Sequence, residues 1–430
     1  MIIAFLWGFL LLVVLYHILV TVVWFGIFDG IFPQIPSLLR DWIWIFGFVI
    51  STLAFWKFLP GYWKRRKRAR IWFLILCVFS VLVSWLKDKS FYDMFVGFKY
   101  WFQYISFFLM ATVLGWIVGK QHKSEHTERF FSKIPLWLTV VVGFGFLWQW
   151  AKLLWPNLFL SLGYGPLDDF HFWANPPLYY LTWLDWTLRW QGIFAGPNNY
   201  GYFLVAFLPL ILQAFPLKLA ERKSRFSKKI LPNLAVNLLW IAAILATLSR
   251  AAVVGVLIVF ALTQINRLRT HKKRAYGLAV LALLWILGLS VLKWSSTIAH
   301  IHAKLWSLSY VFQHPWGYGL GSSGPAIHHN GTMLPENYFI QLLIDIGRIW
   351  FCLWIMTLVF CAKTQIKSVE HLIRNQFSES WTLRAYGIGA VALLLMWVFL
   401  HVFEDSMINY TFFILWGVYL WYIQSKRLNK

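Results

Sequence analysis

The chain of 430 residues is 60% hydrophobic and 20% aromatic, and only 13% of its residues are charged. A soluble globular protein averages about 25% charged residues. Apolar runs of about 20 residues, the length needed to cross the hydrocarbon core of a bilayer, recur from end to end. This composition excludes a soluble enzyme and predicts an all-α integral membrane protein.

The formal net charge of +23 is high enough to suggest a nucleic-acid partner. However, the lysines and arginines gather in short segments between the apolar runs, which is the positive-inside pattern of membrane proteins. Such segments also attract anionic headgroups. The pattern therefore favours the lipid bilayer as partner and argues against nucleic acid. The three cysteines lie in or at the ends of apolar runs, without the spacing of a metal site or a disulfide framework.

The apolar runs predict twelve transmembrane helices. In chain order they cover about 2–25, 41–59, 71–87, 95–118, 135–155, 200–216, 231–248, 251–266, 276–294, 336–361, 385–402 and 408–424. The first run is interpreted as a span because no small-residue cleavage site follows it. Two long loops, about 156–198 and 295–335, interrupt the series. We predict a single polytopic membrane domain over residues 1–430.

The densest basic cluster, residues 64–70, sets the predicted orientation. When it is cytoplasmic, the alternate loops that hold nearly all the other loop lysines and arginines are cytoplasmic too. Both termini are then cytoplasmic, and the two long loops face outward from the plasma (inner) membrane. Loops longer than about 15 residues are usually functional, so we expect an extracytoplasmic active site.

Arg189 and Arg250 lie at the mouths of predicted spans, on the face where the positive-inside rule disfavours them. An arginine at the bilayer centre costs about 2.5 kcal/mol or more, so an arginine near a span usually has a partner or a function. Because guanidinium groups bind phosphate bidentately, the pair predicts a pyrophosphate or phospholipid-like ligand. The simpler interpretation is snorkelling of both side chains to the interface.

Two glycine-containing stretches accompany these arginines. Gly192, Gly196, Pro197, Asn198 and Asn199 predict a turn that ends at a helix N-terminus, where free N–H groups also favour an anion. The second stretch runs from 314 to 324 and includes Gly317 and Gly319. It lacks the Lys-Ser/Thr of a nucleotide-binding loop, but its flexible backbone would let a ligand approach closely.

Glu336 and Asn337 open the run 336–361, and His328 and His329 precede them. Glu336 either complements the helix dipole or takes a proton from a hydroxyl in a water-poor cleft. Adjacent histidines diverge, and no carboxylate stands at zinc-site spacing, so we predict no metal and no cofactor. Arg348, deeper in the same run, implies a buried partner that the sequence does not identify.

Four stretches, in order, resemble the O-antigen ligase and polymerase superfamily, polytopic GT-C-like glycosyltransferases of bacterial envelopes. They are Arg189–Asn199, Leu248–Ala252, His314–Gly321 and Glu336–Gly347. The resemblance implies metal-independent, inverting transfer from an undecaprenyl-pyrophosphate-linked glycan donor to a glycan acceptor. It assigns pyrophosphate binding to Arg189, Arg250 and Asn198. The supporting residues would be Gly192, Pro197, Gly317, Gly319 and Asn337.

In the ligases a histidine precedes the asparagine that heads the helix, whereas Glu336 stands there in this chain. This difference favours a polymerase of exopolysaccharide, capsule or O-antigen repeat units, with Glu336 as the catalytic residue and His328 or His329 as alternatives. A chain-length regulator and a flippase are the further partners that such a polymerase implies. The alternatives are a ligase that transfers lipid-linked glycan to a lipid or cell-wall acceptor, and a glycan transporter. Transporters usually place their charged residues near the midplane, whereas the polar residues of this chain lie mostly at one face, with Arg348 as the main exception.

Overall fold

The computed structural model describes residues 2–28, 67–121, 124–165, 177–181, 188–194, 196–216, 230–263, 294–324, 337–352, 381–399 and 409–419, with the single residues 45, 49, 53, 288 and 355. Helices make up 83% of the interpretable residues, and the predicted all-α class is confirmed for this part of the chain.

The helices follow one another with short connections wherever both neighbours are described. In chain order they are α1 (Ile2–Leu19) with its π-helical continuation Val20–Ile27, α2 (Lys67–Leu86), α3 (Phe91–Gln121), α4 (Ser124–Leu154), α5 (Pro156–Ser161), α6 (Pro197–Ala214), α7 (Ile230–Ala246), α8 (Arg250–Thr263), α9 (Trp294–Gln313), α10 (338–352), α11 (Trp381–Phe399) and the π-helical Asn409–Phe413, which continues as an α-helix over 414–419. A two-stranded antiparallel hairpin pairs β1 (Tyr180–Leu181) with β2 (Leu188–Arg189).

Most of these helices coincide with predicted spans, for example Ile230–Ala246 with the prediction 231–248. The second long loop differs from the prediction, because its first half is the 20-residue helix α9. The predicted spans 41–59 and 276–294 lie outside the described residues except for the single positions 45, 49, 53 and 288 and for Trp294, the first residue of α9.

One helix in the described ranges, Thr127–Leu154, is both long and apolar enough to cross a bilayer. The helical segments Leu6–Tyr16 and Val20–Ile27 meet at 53° and would add a second span if they cross together. The number of twelve spans therefore stays a prediction.

Helix α6 lies at the centre of the packing. Its residues from Tyr200 to Ile211 are all buried, and it contacts α11, α8, α7 and α4. A helix that is apolar on every side must be enclosed by others. The position of α6 therefore decides where its N-terminus, and the residues before it, are held.

Small residues let the neighbouring helices approach α6 closely. A Cβ atom added to Gly201 would lie 2.7 Å from the Cβ of Ala252 in α8. Gly255 of α8 faces Val205, and Gly389 of α11 packs against the backbone of α6. Contacts of this kind between small residues are typical of helix packing in membranes, where van der Waals contact drives association.

Candidate functional site

The end of the first long loop is anchored between α4 and α7. The backbone N–H of Trp190 donates a 2.9 Å hydrogen bond to the carbonyl oxygen of Ala246, the last residue of α7. The Trp190 ring packs on Phe146 and Trp150 of α4, at centroid distances of 4.4 and 5.6 Å. Since these residues are one helical turn apart, the indole ring holds the loop against one face of α4.

Arg189 is positioned from three directions. It pairs with Tyr180 in the hairpin, and its Nε donates a 3.1 Å hydrogen bond to the carbonyl oxygen of Thr247. One of its terminal nitrogens donates to Oδ1 of Asn198 at 2.8 Å. Both acceptors are neutral, and together the two bonds orient the guanidinium. The structure thus brings together Arg189 and Asn198, two of the predicted pyrophosphate ligands.

The N-terminus of α6 begins at the predicted Gly-Pro-Asn segment. Gly196 is the N-cap in an extended conformation, and Pro197 is the first helical residue, a position where the missing N–H costs nothing. Gly192 has a φ of +58°, and a Cβ there would lie 3.2 Å from the ring of Tyr200. Gly192 and Pro197 therefore support the turn that presents Asn198 to Arg189.

Arg250 is the first residue of α8 and follows a strained corner. Leu248 takes a φ of +47°, a left-handed conformation that costs a non-glycine residue about 1–2 kcal/mol. Ser249 caps α8, because its Oγ accepts a 3.4 Å hydrogen bond from the N–H of Ala252. Strain of this kind is frequent at functional sites, and here it turns the chain so that Arg250 stands next to Thr247, which binds Arg189.

Two helix N-termini meet at this corner. Gly201 and Ala252, near the starts of α6 and α8, are in contact. Arg189 binds Asn198 in the first turn of α6 and the carbonyl oxygen of Thr247, which lies between the end of α7 and the start of α8. Each helix N-terminus carries a partial positive charge of about half an elementary charge. The two helix N-termini and the two arginines make this junction, which we call the arginine corner (Arg189, Asn198, Thr247–Arg250), suited to bind an anion. The C-terminus of α7 at Ala246 adds a partial negative charge beside it, which the bonds from Trp190 and Arg189 to its last carbonyl oxygens offset.

A second junction is organised around the buried carboxylate of Asp345. The indole N–H of Trp101 and the backbone N–H of Gly321 donate to Oδ2 at 2.9 and 3.1 Å. The hydroxyl of Ser323 lies 2.8 Å from Oδ1. Asp345 therefore ties three elements together: α3, α10 and the glycine-rich segment 314–324. Because three hydrogen-bonding groups converge on this one buried side chain, Asp345 is a polar anchor of the segment.

The glycines of that segment face the protein's own backbone. Gly319 donates from its N–H to the carbonyl oxygen of Asp345 at 3.0 Å, and a Cβ on Gly317 would lie 2.5 Å from the same oxygen. Both glycines have positive φ angles, +81° at Gly317 and +93° at Gly319. Gly317 thus approaches the backbone of α10 closely, and the segment is held rather than open. The close approach of a ligand to this segment stays a prediction.

The predicted catalytic residues Glu336, His328 and His329 lie outside the described residues. Asn337 is described, and its Oδ1 accepts a 3.1 Å hydrogen bond from the N–H of Ile340. This bond makes Asn337 the N-cap of α10. The structure therefore fixes where the backbone after Glu336 begins its helix.

Sequence reasoning missed a buried polar cluster at the C-terminal end of α4. The ammonium of Lys152 lies 4.2 Å from the ring centroid of Tyr164, and the hydroxyl of Tyr164 accepts a 3.1 Å hydrogen bond from the indole of Trp148. Burial raises the pKa of Tyr164 to about 12, so the phenol is neutral. Gln149, also fully buried, has no hydrogen-bond partner for its side-chain amide within the described ranges. The sequence did contain a signal for this cluster: a single lysine stands at the end of a predicted span that was expected to face outward, where the positive-inside rule disfavours lysine.

Arg348 has a partner that the sequence left open. Its guanidinium lies 5.4 Å from the ring centroid of Phe312 and donates to that residue's carbonyl oxygen at 3.4 Å. Arg348 thus connects α10 to the end of α9, and this pair is exposed rather than buried.

Comparison with known proteins identifies no family for the chain. No protein-family model, curated protein or solved structure matches the chain. A functional proposal therefore rests on the arginine corner and on the order of the sequence motifs.

Proposed function

We propose that the protein is a glycosyltransferase of the plasma membrane that polymerises undecaprenyl-pyrophosphate-linked oligosaccharide repeat units on the extracytoplasmic face. The observation that carries this proposal is the arginine corner, where Arg189 bonds the first turn of one helix and the corner that begins another. A pyrophosphate is negatively charged, and it offers pairs of oxygen atoms that a planar guanidinium group can bind bidentately.

The proposed reaction is a single displacement without a metal. A hydroxyl of the acceptor sugar attacks the anomeric carbon of the donor, a new glycosidic bond forms with inversion, and the bond to the lipid pyrophosphate breaks. The hydroxyl proton passes to a general base, for which Glu336 is the candidate. Negative charge develops on the departing pyrophosphate, and Arg189 and Arg250, with the two helix dipoles, stabilise it where it develops.

Exposed apolar side chains support the membrane location. Large hydrophobic residues on the outer faces of α2, α4 and α7 are more than one-third exposed, among them Val78, Trp85, Val140, Leu147 and Leu238. Monomeric soluble proteins rarely expose contiguous apolar surface on this scale. Lipid contact would remove it from water.

The test is to give the purified protein, in lipid nanodiscs, a synthetic repeat unit linked to undecaprenyl pyrophosphate and to size the products. A ladder of lengthening glycans with release of undecaprenyl pyrophosphate is expected for a polymerase. A single transfer to an added lipid or peptidoglycan acceptor would assign the ligase activity instead. Movement of intact lipid-linked glycan between leaflets, without any new glycosidic bond, would overturn the enzymatic proposal in favour of transport.

The candidate base has its own test. Glu336→Gln keeps the size and polarity of the side chain but cannot accept the hydroxyl proton, so product should be lost. Full activity in this variant would exclude Glu336 as the base, and His328→Gln and His329→Gln would then be compared.

A further inference from the structure

Helix α9 carries an exposed apolar stripe along one side. Ile301, Leu305 and Phe312 are 51%, 61% and 67% exposed, and Leu308 lies between them. The spacing of 301, 305, 308 and 312 places all four on one face of a helix. Isolated exposed hydrophobic residues are normal, whereas a continuous stripe marks a contact surface.

A polar stripe runs beside the apolar one. His302, Ser309 and Gln313 are exposed, and their spacing of seven and four residues also defines one face. The exposed surface of α9 therefore has apolar side chains on one flank, and on the other flank polar side chains together with Trp306, which is 49% exposed. This division is the mark of a helix that lies along a boundary between water and lipid.

The inner side of α9 is fixed to the rest of the protein. Val311 is buried in a small cluster with Ile340 and Ile344 of α10, and Leu308 and Tyr318 pack against it. The hydrogen bond from Arg348 to the carbonyl oxygen of Phe312 adds a polar tie. The apolar stripe is therefore presented by a helix with a defined orientation on α10.

Charge and chain continuity indicate what covers the stripe. The whole segment 294–335 contains no Asp or Glu, while Lys304 lies on α9 and Arg348 stands over the last ring of the stripe. No acidic side chain of this segment would repel anionic headgroups, and the positive charges of Lys304 and Arg348 would attract them. The helix also starts at Trp294, the residue at which the apolar run 276–294 ends.

We propose that α9 is an interfacial helix that lies in the surface of the bilayer, with Ile301, Leu305 and Phe312 at the acyl boundary and anionic headgroups around Arg348. This inference rests on the membrane location proposed above. Its consequence is that the glycine-rich segment 314–324, which follows α9 directly and is held on Asp345, is kept at the membrane surface where a lipid-linked glycan must be handled.

Spin labels placed singly on the full chain in nanodiscs test the inference. The background chain has Cys77, Cys352 and Cys361 replaced and still forms product. In this background, single variants Leu305→Cys, Ser309→Cys and Val140→Cys each carry one label. Val140, 61% exposed on the candidate span of α4, is the reference for membrane insertion. Collision rates with oxygen, which concentrates in lipid, and with a water-soluble nickel chelate are measured in bilayers with and without phosphatidylglycerol.

The label at position 305 is expected to show a several-fold higher oxygen-to-nickel collision ratio than the label at position 309, and a larger difference with phosphatidylglycerol. Equal ratios at 305 and 309, with a high ratio at 140, would overturn the interfacial helix and leave the membrane location standing. A low ratio at 140 would overturn the membrane location itself. Low collision with both reagents at 305, together with dipolar coupling between labels, would assign the stripe to a second copy of the chain and also overturn the proposal.

Discussion

The guanidinium Nε of Arg189 donates a 3.1 Å hydrogen bond to the carbonyl oxygen of Thr247, three residues before Arg250. The two arginines that stand 61 positions apart in sequence thereby belong to one corner of the fold. Arg189 belongs to the hairpin and Arg250 to α8, so the corner depends on how the hairpin, α6 and α8 pack together.

Replacing Arg189 by lysine should abolish most of the activity while leaving the protein folded. Lysine keeps the charge but lacks the fork that reaches Thr247 and Asn198 together. Losing about 2.8 kcal/mol of leaving-group stabilisation corresponds to about a 100-fold slower reaction. Polymer yield per unit of membrane protein is the measurement. Arg129→Lys, at an exposed position of α4, is the matched control, and an equal loss in both variants would contradict the assignment.

Asn198→Ala should lower the rate by about tenfold, because one charge-assisted hydrogen bond that orients Arg189 is lost. The neighbouring Asn199→Ala removes an amide of the same size from the same helical turn and should have little effect. Initial rates of glycan lengthening compare the two variants. If Asn199→Ala were the more damaging change, the orienting role would belong to the other asparagine.

Gly201→Ala should destabilise the contact between α6 and α8, because the new Cβ would lie 2.7 Å from the Cβ of Ala252. Overpacking of this kind costs about 1–3 kcal/mol. The double variant Gly201→Ala, Ala252→Gly restores the space and should recover part of the thermal midpoint measured in detergent. Gly143→Ala, where a Cβ makes only an ordinary contact of 3.8 Å, is the control. A double variant no more stable than the single one would show that the close approach is not the cause.

Asp345→Ala should lower the stability by about 3 kcal/mol, because the buried donors of Trp101, Gly321 and Ser323 lose the oxygens that accept from them. Trp101→Phe removes one of these donors, and the two changes should be less than additive because they remove a shared bond. Thermal midpoints of the two single variants and the double variant give this coupling. Asp88→Asn, on an exposed turn with a φ of +53° that asparagine tolerates, should behave as the unchanged chain.

Lys152→Met should keep the fold and raise the thermal midpoint. Methionine has a similar volume and avoids the desolvation cost of a buried ammonium, which is several kcal/mol, while the lost contact with the Tyr164 ring is worth about 0.5–2 kcal/mol. Lys133→Met, at an exposed position of the same helix, should leave the midpoint unchanged. A lower midpoint for Lys152→Met would show that the ammonium is bonded to a further group.

The sequence by itself determined the helical class and the places where many helices begin and end. The starts of α6 and α10 were predicted near residues 200 and 336. They lie within three residues of these positions, at Pro197 and just after Asn337, because helix ends depend on residues within one turn. The run lengths that predict twelve spans are likewise local, and that number stays a prediction. The likeness of four motifs to a glycosyltransferase superfamily is also a property of the sequence alone.

Only the tertiary structure decided which residues meet. Trp101 reaches Asp345 across 244 positions of the chain, and Arg189 reaches Thr247 across 58. No local pattern encodes either pair, because apolar helix faces of similar composition can pack against one another in many ways. The glycines at 201, 317 and 319 select among these arrangements, since each permits one close backbone approach that a side chain would prevent. The same packing leaves the apolar stripe of α9 outside, so its exposure is a property of the fold and not of the sequence.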